Sequence, residues 1–395
     1  MNKWLVAGLL ALPGLAQAEF ELSGKVGTEL RLFTESAQFS GQQGTANLSV
    51  FARPELYWSW NEGADALTFV PYVRLDQHDP ERSHVDIREL SWVHVGDEWE
   101  VRAGLRKVFW GVTEFQHLVD TLNQSDQVED LDGEDKLGQP MLNLSRVTDY
   151  GIIDAYLLPG FRERTFPGVK GRLRTGLLVD TDLTSYESGA EDKHVDLALR
   201  WSNSIGPFDL GVHWFKGTQR DPLLQAKTNG NGQLVLAPHY LQVEQVGVDA
   251  QATLGSWLWK LETLYRDSSQ ANWWAAQAGF EYTFYGVMDS AADVGVLLEY
   301  GWDQRGEKGG ALAQRDLYLG SRIALNDEDS SEFLGGVSYD LDYHSKSLML
   351  EASTRLDANW KVSLEGRFFS VSDQADPAYN LRKDDHLQLT LERFF

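Results

Sequence analysis

The chain has no cysteine, and its 35 basic residues are outnumbered by 59 acidic ones, for a net charge of −24. The missing cysteines exclude a disulfide framework and any cysteine-ligated zinc or iron–sulfur site. The missing positive charge argues against a general nucleic-acid binder, which needs a basic face. Proline is scarce, at 11 residues in 395. Beyond the N-terminus no stretch approaches the ~20 uninterrupted apolar residues of a membrane helix, so helical spans are not expected. Disorder is disfavoured too, because 42% hydrophobic residues with 12% aromatics is too apolar a composition for it.

What is present starts with residues 1–18, MNKWLVAGLLALPGLAQA. Lys3 supplies a positive first region, Trp4 to Leu15 an apolar core broken by Pro13, and Ala16-Gln17-Ala18 a small-x-small cleavage site. These are the parts of a secretory signal peptide, and the apolar run is too short to span a bilayer. Glu19 is the expected first mature residue. No cysteine follows the cleavage site, so no lipid anchor is expected.

Alternation with period two runs through the rest. In 48–60, Leu48, Val50, Ala52, Pro54, Leu56, Trp58 and Trp60 share one face, and Ser49, Phe51, Arg53, Glu55, Tyr57 and Ser59 the other. Segments 348–356 and 360–368 repeat the pattern, one greasy face and one charged. Successive side chains of a strand point to opposite faces, so these segments read as strands. A soluble sandwich also alternates. Two features favour lipid: segments of about ten residues, the length of a tilted transmembrane strand, and aromatics near strand ends. Only a closed barrel crosses a membrane with strands, since every backbone N–H and C=O must be paired.

The expected fold is therefore all-β, a closed antiparallel transmembrane β-barrel of about 18 strands occupying 19–395 as one domain. Sixteen strands is the alternative, because 141–158 and the 267–272 connection are weak points. In 84–95, Val85 and Ile87 fall on one face and Leu90 and Trp92 on the other, so a bulge is expected near Arg88-Glu89. Tight turns alternate with long connections, the asymmetry between periplasmic turns and external loops. Trp58, Trp60, Trp92, Trp99, Trp201, Trp257, Trp259 and Trp360 then fall at the periplasmic rim. Trp214, Trp273, Trp274 and Trp302 fall at the external one, making two girdles.

If the greasy faces meet lipid, the lumen receives the charged ones. Its expected cations are Arg53, Arg74, Arg102, Arg106, Arg200, Arg322, Arg355 and Arg367. Facing acids are Glu55, Glu281 and Glu351 on strands and Asp126, Glu129 and Asp130 in a long loop. Such a mixed wall either sets a transverse field that orients polar solutes or neutralises itself in water. Loop 109–140 is acidic and too long for a hairpin turn, with a short helix expected over 116–124. Loop 159–193 is basic, carrying Arg162, Arg164, Lys170, Arg172 and Arg174. The two either pair with each other as a plug or stand as separate solvated loops. The run Asp130 to Asp135 raises calcium, yet it lacks the full twelve-residue ligand pattern, and no metal or cofactor is assigned.

The last strand ends Leu387-Gln-Leu-Thr-Leu-Glu-Arg-Phe-Phe395. An amphipathic strand closing on Phe resembles the C-terminal signal of bacterial outer-membrane proteins, and implies the barrel assembly machinery as a partner. Leu105-Arg-Lys-Val-Phe-Trp-Gly111, followed by Asn123 and Asp126, resembles a G-x-x-x-x-W-G pattern of proteobacterial porin-like barrels. Gly104 and Trp110 match with one residue more in the gap. The resemblance implies a Gram-negative outer-membrane protein of the porin superfamily. It implies no substrate. In porins a long loop folds into the lumen and sets its width, a role this resemblance gives to 109–140. The expected function is passive diffusion of small hydrophilic solutes, with outer-membrane lipid around the barrel and a homotrimer as the assembly that would suit it. The alternatives are a partner of a transporter or an export component, and, behind these, a rim hydrolase using His344 with Asp340 and Asp342. No recognisable nucleophile motif supports an enzyme.

Overall fold

The computed structural model describes residues 18–309 and 314–395. The expected signal peptide lies outside the described residues except for Ala18. The described strands are β1 (Glu19–Phe33), β2 (Ala46–Trp60), β3 (Asp65–Asp76), β4 (His84–Val95), β5 (Trp99–Arg106), β6 (Gln139–Thr148), β7 (Gly151–Pro159), β8 (Ser185–Tyr186), β9 (Val195–Ile205), β10 (Phe208–Thr218) and β11 (Leu223–Thr228). They continue as β12 (Leu234–Tyr240), β13 (Gln242–Leu254), β14 (Trp257–Ser268), β15 (Asn272–Phe284), β16 (Asp293–Asp303), β17 (Arg315–Ala324), β18 (Glu332–Asp340), β19 (Lys346–Arg355), β20 (Trp360–Ser370) and β21 (His386–Phe394).

Eighteen of these form one antiparallel sheet in which neighbours along the chain pair, while β8, β11 and β12 form a small separate sheet in the loops. The large sheet closes because β1 pairs with β21, with Lys25 opposite Phe394 and Phe33 opposite His386. Both weak points prove to be strand pairs: β6 and β7 are joined by a tight turn, and β14 and β15 by 269–271. The strand number is thus eighteen.

Closure leaves one apolar face and one polar one. Leu22, Val26, Leu48, Val50, Leu199, Val246, Leu319 and Leu389 are all 40% or more exposed on the outside, whereas Glu29, Ser49, Asp196, Gln245, Glu262, Gln277 and Glu299 are buried inside. That inversion of a soluble protein is what a hydrocarbon solvent selects. Trp257 and Trp259 stack at 5.6 Å on the outside of the barrel at the short-turn rim, and Trp274 and Trp302 mark the opposite rim. Trp273 departs from the expected girdle. Adjacent strand residues point to opposite faces, so Trp273 turns inward, 8% exposed, with the Arg305 guanidinium 3.7 Å over its ring.

The expected bulge is present. Val70 faces Glu89 and Pro71 faces Ile87, so Arg88 is the extra residue. It restores the outward face to Leu90 and Trp92, and it aims Arg88 and Glu89 together at the lumen. The next strand packs tightly here: a Cβ on Gly104 (φ +133) would lie 2.0 Å from the Leu90 carbonyl oxygen.

Candidate functional site

The lumen is crossed by the connection between β5 and β6, residues 107–138. Its start is fixed by Asp120, whose carboxylate accepts the N–H groups of Trp110 (2.5 Å) and Gly111 (2.9 Å). It then reaches the far wall. Glu262 on β14 accepts from the backbone of Val112 (2.7 Å), Thr113 (2.9 Å) and Val119 (3.2 Å), and from the Thr113 hydroxyl (2.6 Å). Glu299 on β16 accepts from Glu114 (2.8 Å) and Phe115 (3.3 Å). Phe115 stacks on Tyr318 at 4.9 Å, and a Cβ on Gly336 would meet its ring at 2.6 Å. Two wall carboxylates thus take the backbone N–H groups of 112–115 and of Val119. The expected helix over 116–124 is absent, and the segment runs as turns and coil.

The return limb carries the acids. Asp126 binds Arg88 (2.5 Å) and the Thr165 hydroxyl (2.7 Å); Glu129 binds Arg74 (2.6 Å) and Tyr72 (3.0 Å). Arg74 and Arg82 also share Glu29, at 2.9 and 2.7 Å. Asp132 and Glu351 both reach Arg367, at 3.0 and 3.1 Å, with Asp130 at 3.9 Å. Asp126, Glu129, Asp130 and Asp132 therefore pair with arginines on the barrel wall. Ion pairing with the basic loop, one of the two expected alternatives, is not found among the described residues; that loop touches the strap through neutral groups, by the bridge of Thr165 to Asp126 and by Arg164 to Gln124 (3.2 Å) and Arg162 to the Gly138 carbonyl (3.0 Å). Arg162, Arg164 and Arg172 pair instead with Asp86 (2.8 Å), Asp221 (2.5 Å) and Asp384 (2.6 Å). Nor do the two loops stand apart in solvent. Leu173, Leu381 and Phe33 form a buried apolar cap, with Leu131 and Phe369 packed against it, over the external mouth.

Two cavities flank the strap. One, of about 640 Å³, lies along β1–β5 and β19–β21 and is lined by Arg53, Arg74, Glu129, Asp130, Glu351 and Arg367 among others. The second, of about 710 Å³, lies beside the turns after β6 and β9 and is lined by Arg102, Arg106, Arg200, Trp110 and Tyr156. Lys107 and Phe109 border both. Towards the external cap the space shrinks to one cavity of about 20 Å³ beside Arg31, Phe33 and Arg172 and one of about 90 Å³ lined by Leu131, Leu173 and Leu381. Asp135 lines the first cavity with its carboxyl accessible to it, and desolvation inside the lumen, with Glu129 and Asp130 nearby, pushes it up to about 6.

The other expected lumen residues fall as follows. Arg200 holds Asp249 with two bonds (2.6 and 2.7 Å), and Arg102 pairs with Glu100. Arg322 reaches Glu114 on the strap at 2.6 Å and Glu281 at 3.8 Å. Glu55 is exposed, with no ion pair among the described residues, and Arg355 lies at the short-turn end with its guanidinium 5.5 Å from the Phe394 ring. Of the acidic run, Asp132 and Asp130 face Arg367, at 3.0 and 3.9 Å. A different trio, His84, Asp126 and Glu129, brings ligand-type atoms within 4.8 Å of one another, but Arg88 and Arg74 already hold its carboxylates. His344 bonds the Tyr339 hydroxyl (3.0 Å) and Asp342 is taken by Arg315 (2.8 Å), so the rim trio is not assembled as an acid–base pair. Sequence reading missed the tethering role of Glu262 and Glu299.

Fold and lumen together define a class: a transmembrane β-barrel of the bacterial outer-membrane type, its lumen crossed by an inward-folded loop. No family model and no curated protein matches this chain. Solved structures are similar over nearly its whole length. A mutant of Rh. blastica porin is 12% identical with a TM-score of 0.47, covering 95% of this chain and 100% of its own. Pseudomonas putida OprB at high pH is 10% identical with a TM-score of 0.46, covering 95% and 94%. OmpT, an outer membrane protein of Vibrio cholerae in its trimer form, is 10% identical with a TM-score of 0.46, covering 96% and 99%.

Proposed function

We propose that this barrel is a channel for passive diffusion of small hydrophilic solutes across the outer membrane, with residues 107–138 as its constriction. The observation that supports this most is the pair of polar cavities flanking the strap at Lys107 and Phe109. A barrel kept only as a scaffold has no need to hold charged, water-sized space beside its narrowest point. The reading is non-enzymatic, and a homotrimer and recognition by the assembly machinery through Phe395 belong to it as proposals. Solute passage is tested by conductance of the refolded protein in a planar bilayer under a salt gradient. Stepwise currents are expected, well below those of an unobstructed eighteen-stranded pore. Silence from correctly folded protein would overturn the channel reading. It would favour the second one, a transporter partner or export component, which the apolar cluster of Phe33, Leu173 and Leu381 over the external mouth supports.

A further inference from the structure

Most lumen arginines are matched with a carboxylate within 4 Å: Arg74, Arg82, Arg88, Arg200, Arg220 and Arg367 among them. Three cations at the junction of the cavities break this rule. Arg53, Lys107 and Arg106 have no ion-pair partner among the described residues. Arg106 bonds only the neutral Asn143 side chain, at 3.1 Å. Arg53 borders the first cavity, Arg106 the second, and Lys107 both. Phe109 stands between them and is 55% exposed although it faces the lumen and not lipid. Trp110 and Tyr156 continue that aromatic surface into the second cavity, their rings 5.8 Å apart.

Leaving cations unpaired in a narrow lumen is costly unless water or a ligand supplies the counter-charge. Lys107 registers the imbalance: burial, with Arg88 and Arg53 beside it, lowers its ammonium to about 8 against the weaker pull of Asp135 and Asp86. An exposed ring between free cations offers an apolar platform and a charge clamp in one place.

From this we infer that Arg53, Lys107 and Arg106 with Phe109 form a binding site for small organic carboxylates, which pass from one cavity to the other across Lys107. The inference rests on the channel reading and narrows it to a solute class. Binding itself needs no conduction, so the two are tested apart. Benzoate and its uncharged isostere benzamide are titrated by NMR against the full-length barrel refolded in detergent. Benzoate is expected to bind, and benzamide at least about tenfold more weakly. Lys107→Gln and Arg106→Gln should each weaken benzoate about tenfold, with Lys193→Gln, on an exposed external loop, unchanged. Heat-modifiable migration on gels confirms that each variant is folded. Equal binding of the two probes, or no benzoate binding at ~10 mM by folded parent protein, overturns the site. A silent barrel that still binds benzoate would keep the site and lose the channel; a conducting barrel indifferent to benzoate would do the reverse.

Discussion

Glu262 and Asp249 stand directly opposite each other on β14 and β13. Like charges across a strand pair repel, so each needs a partner from elsewhere. Asp249 has Arg200, and Glu262 has the strap. Glu351 opposite Glu365 repeats the situation, and Arg367 holds Glu351 there at 3.1 Å. This was the available signal for the missed tethers: strand register read from the sequence would have exposed facing acids that require a third group. Because Glu262 is fully buried and serves three N–H groups and a hydroxyl, Glu262→Leu leaves the three N–H groups unpaired, while the Thr113 hydroxyl keeps the Gln116 carbonyl. A loss of ~3 kcal/mol or more is expected, and clearly less for Glu262→Gln, which keeps an acceptor oxygen. Thermal unfolding in detergent together with protease sensitivity of 107–138 reads both. A Leu variant as stable and as resistant as the parent would remove the tether from the account.

At the scale of elements, the strands were legible because one physical demand, lipid outside and water inside, repeats every second residue. Even the bulge at Arg88 announced itself, since a phase slip between Ile87 and Leu90 has no other cheap remedy. The loops were not legible in the same way. Their contacts join residues far apart in sequence, such as Arg172 with Asp384 and Arg367 with Asp132, and no local periodicity encodes such pairings. The same holds for 107–138, where the expected helix over 116–124 is absent and the backbone of 112–115 and Val119 is held by Glu262 and Glu299, more than a hundred residues away. The Arg172–Asp384 pair latches the external cap: both side chains are almost wholly buried, and Arg172 also lies 4.3 Å over the Phe33 ring. Arg172→Ala strands a buried carboxylate, and a cost of about 3–5 kcal/mol is expected, carried by the cap and not by the barrel. The checks are faster proteolysis of 160–194 on intact cells and larger or more frequent openings in the bilayer, both partly reversed by adding Asp384→Ala. Unaltered cleavage and unaltered openings would mean that the apolar cap holds the mouth without the latch.

For the whole molecule, closure is the decisive step, because an open sheet of this composition would expose two unpaired edges to hydrocarbon. The seam between β1 and β21 runs from Phe33–His386 to Lys25–Phe394, and it ends where Gly24 and Phe395 exchange backbone hydrogen bonds, each 3.1 Å long. The Phe395 ring lies against Gly24, so a Cβ there would meet it at 3.1 Å. Deleting Phe395 removes the last pair of that seam and the aromatic terminus proposed as the assembly signal. The two roles separate by where the loss shows. If recognition dominates, the truncated chain refolds normally in detergent but reaches the outer membrane at a small fraction of the parent level. If the seam dominates, refolding yield and melting temperature fall as well, and Phe395→Tyr, which keeps the backbone bonds and the ring, restores both. Parent-like membrane levels together with parent-like melting would take both roles from Phe395 and place the closure signal further back along β21.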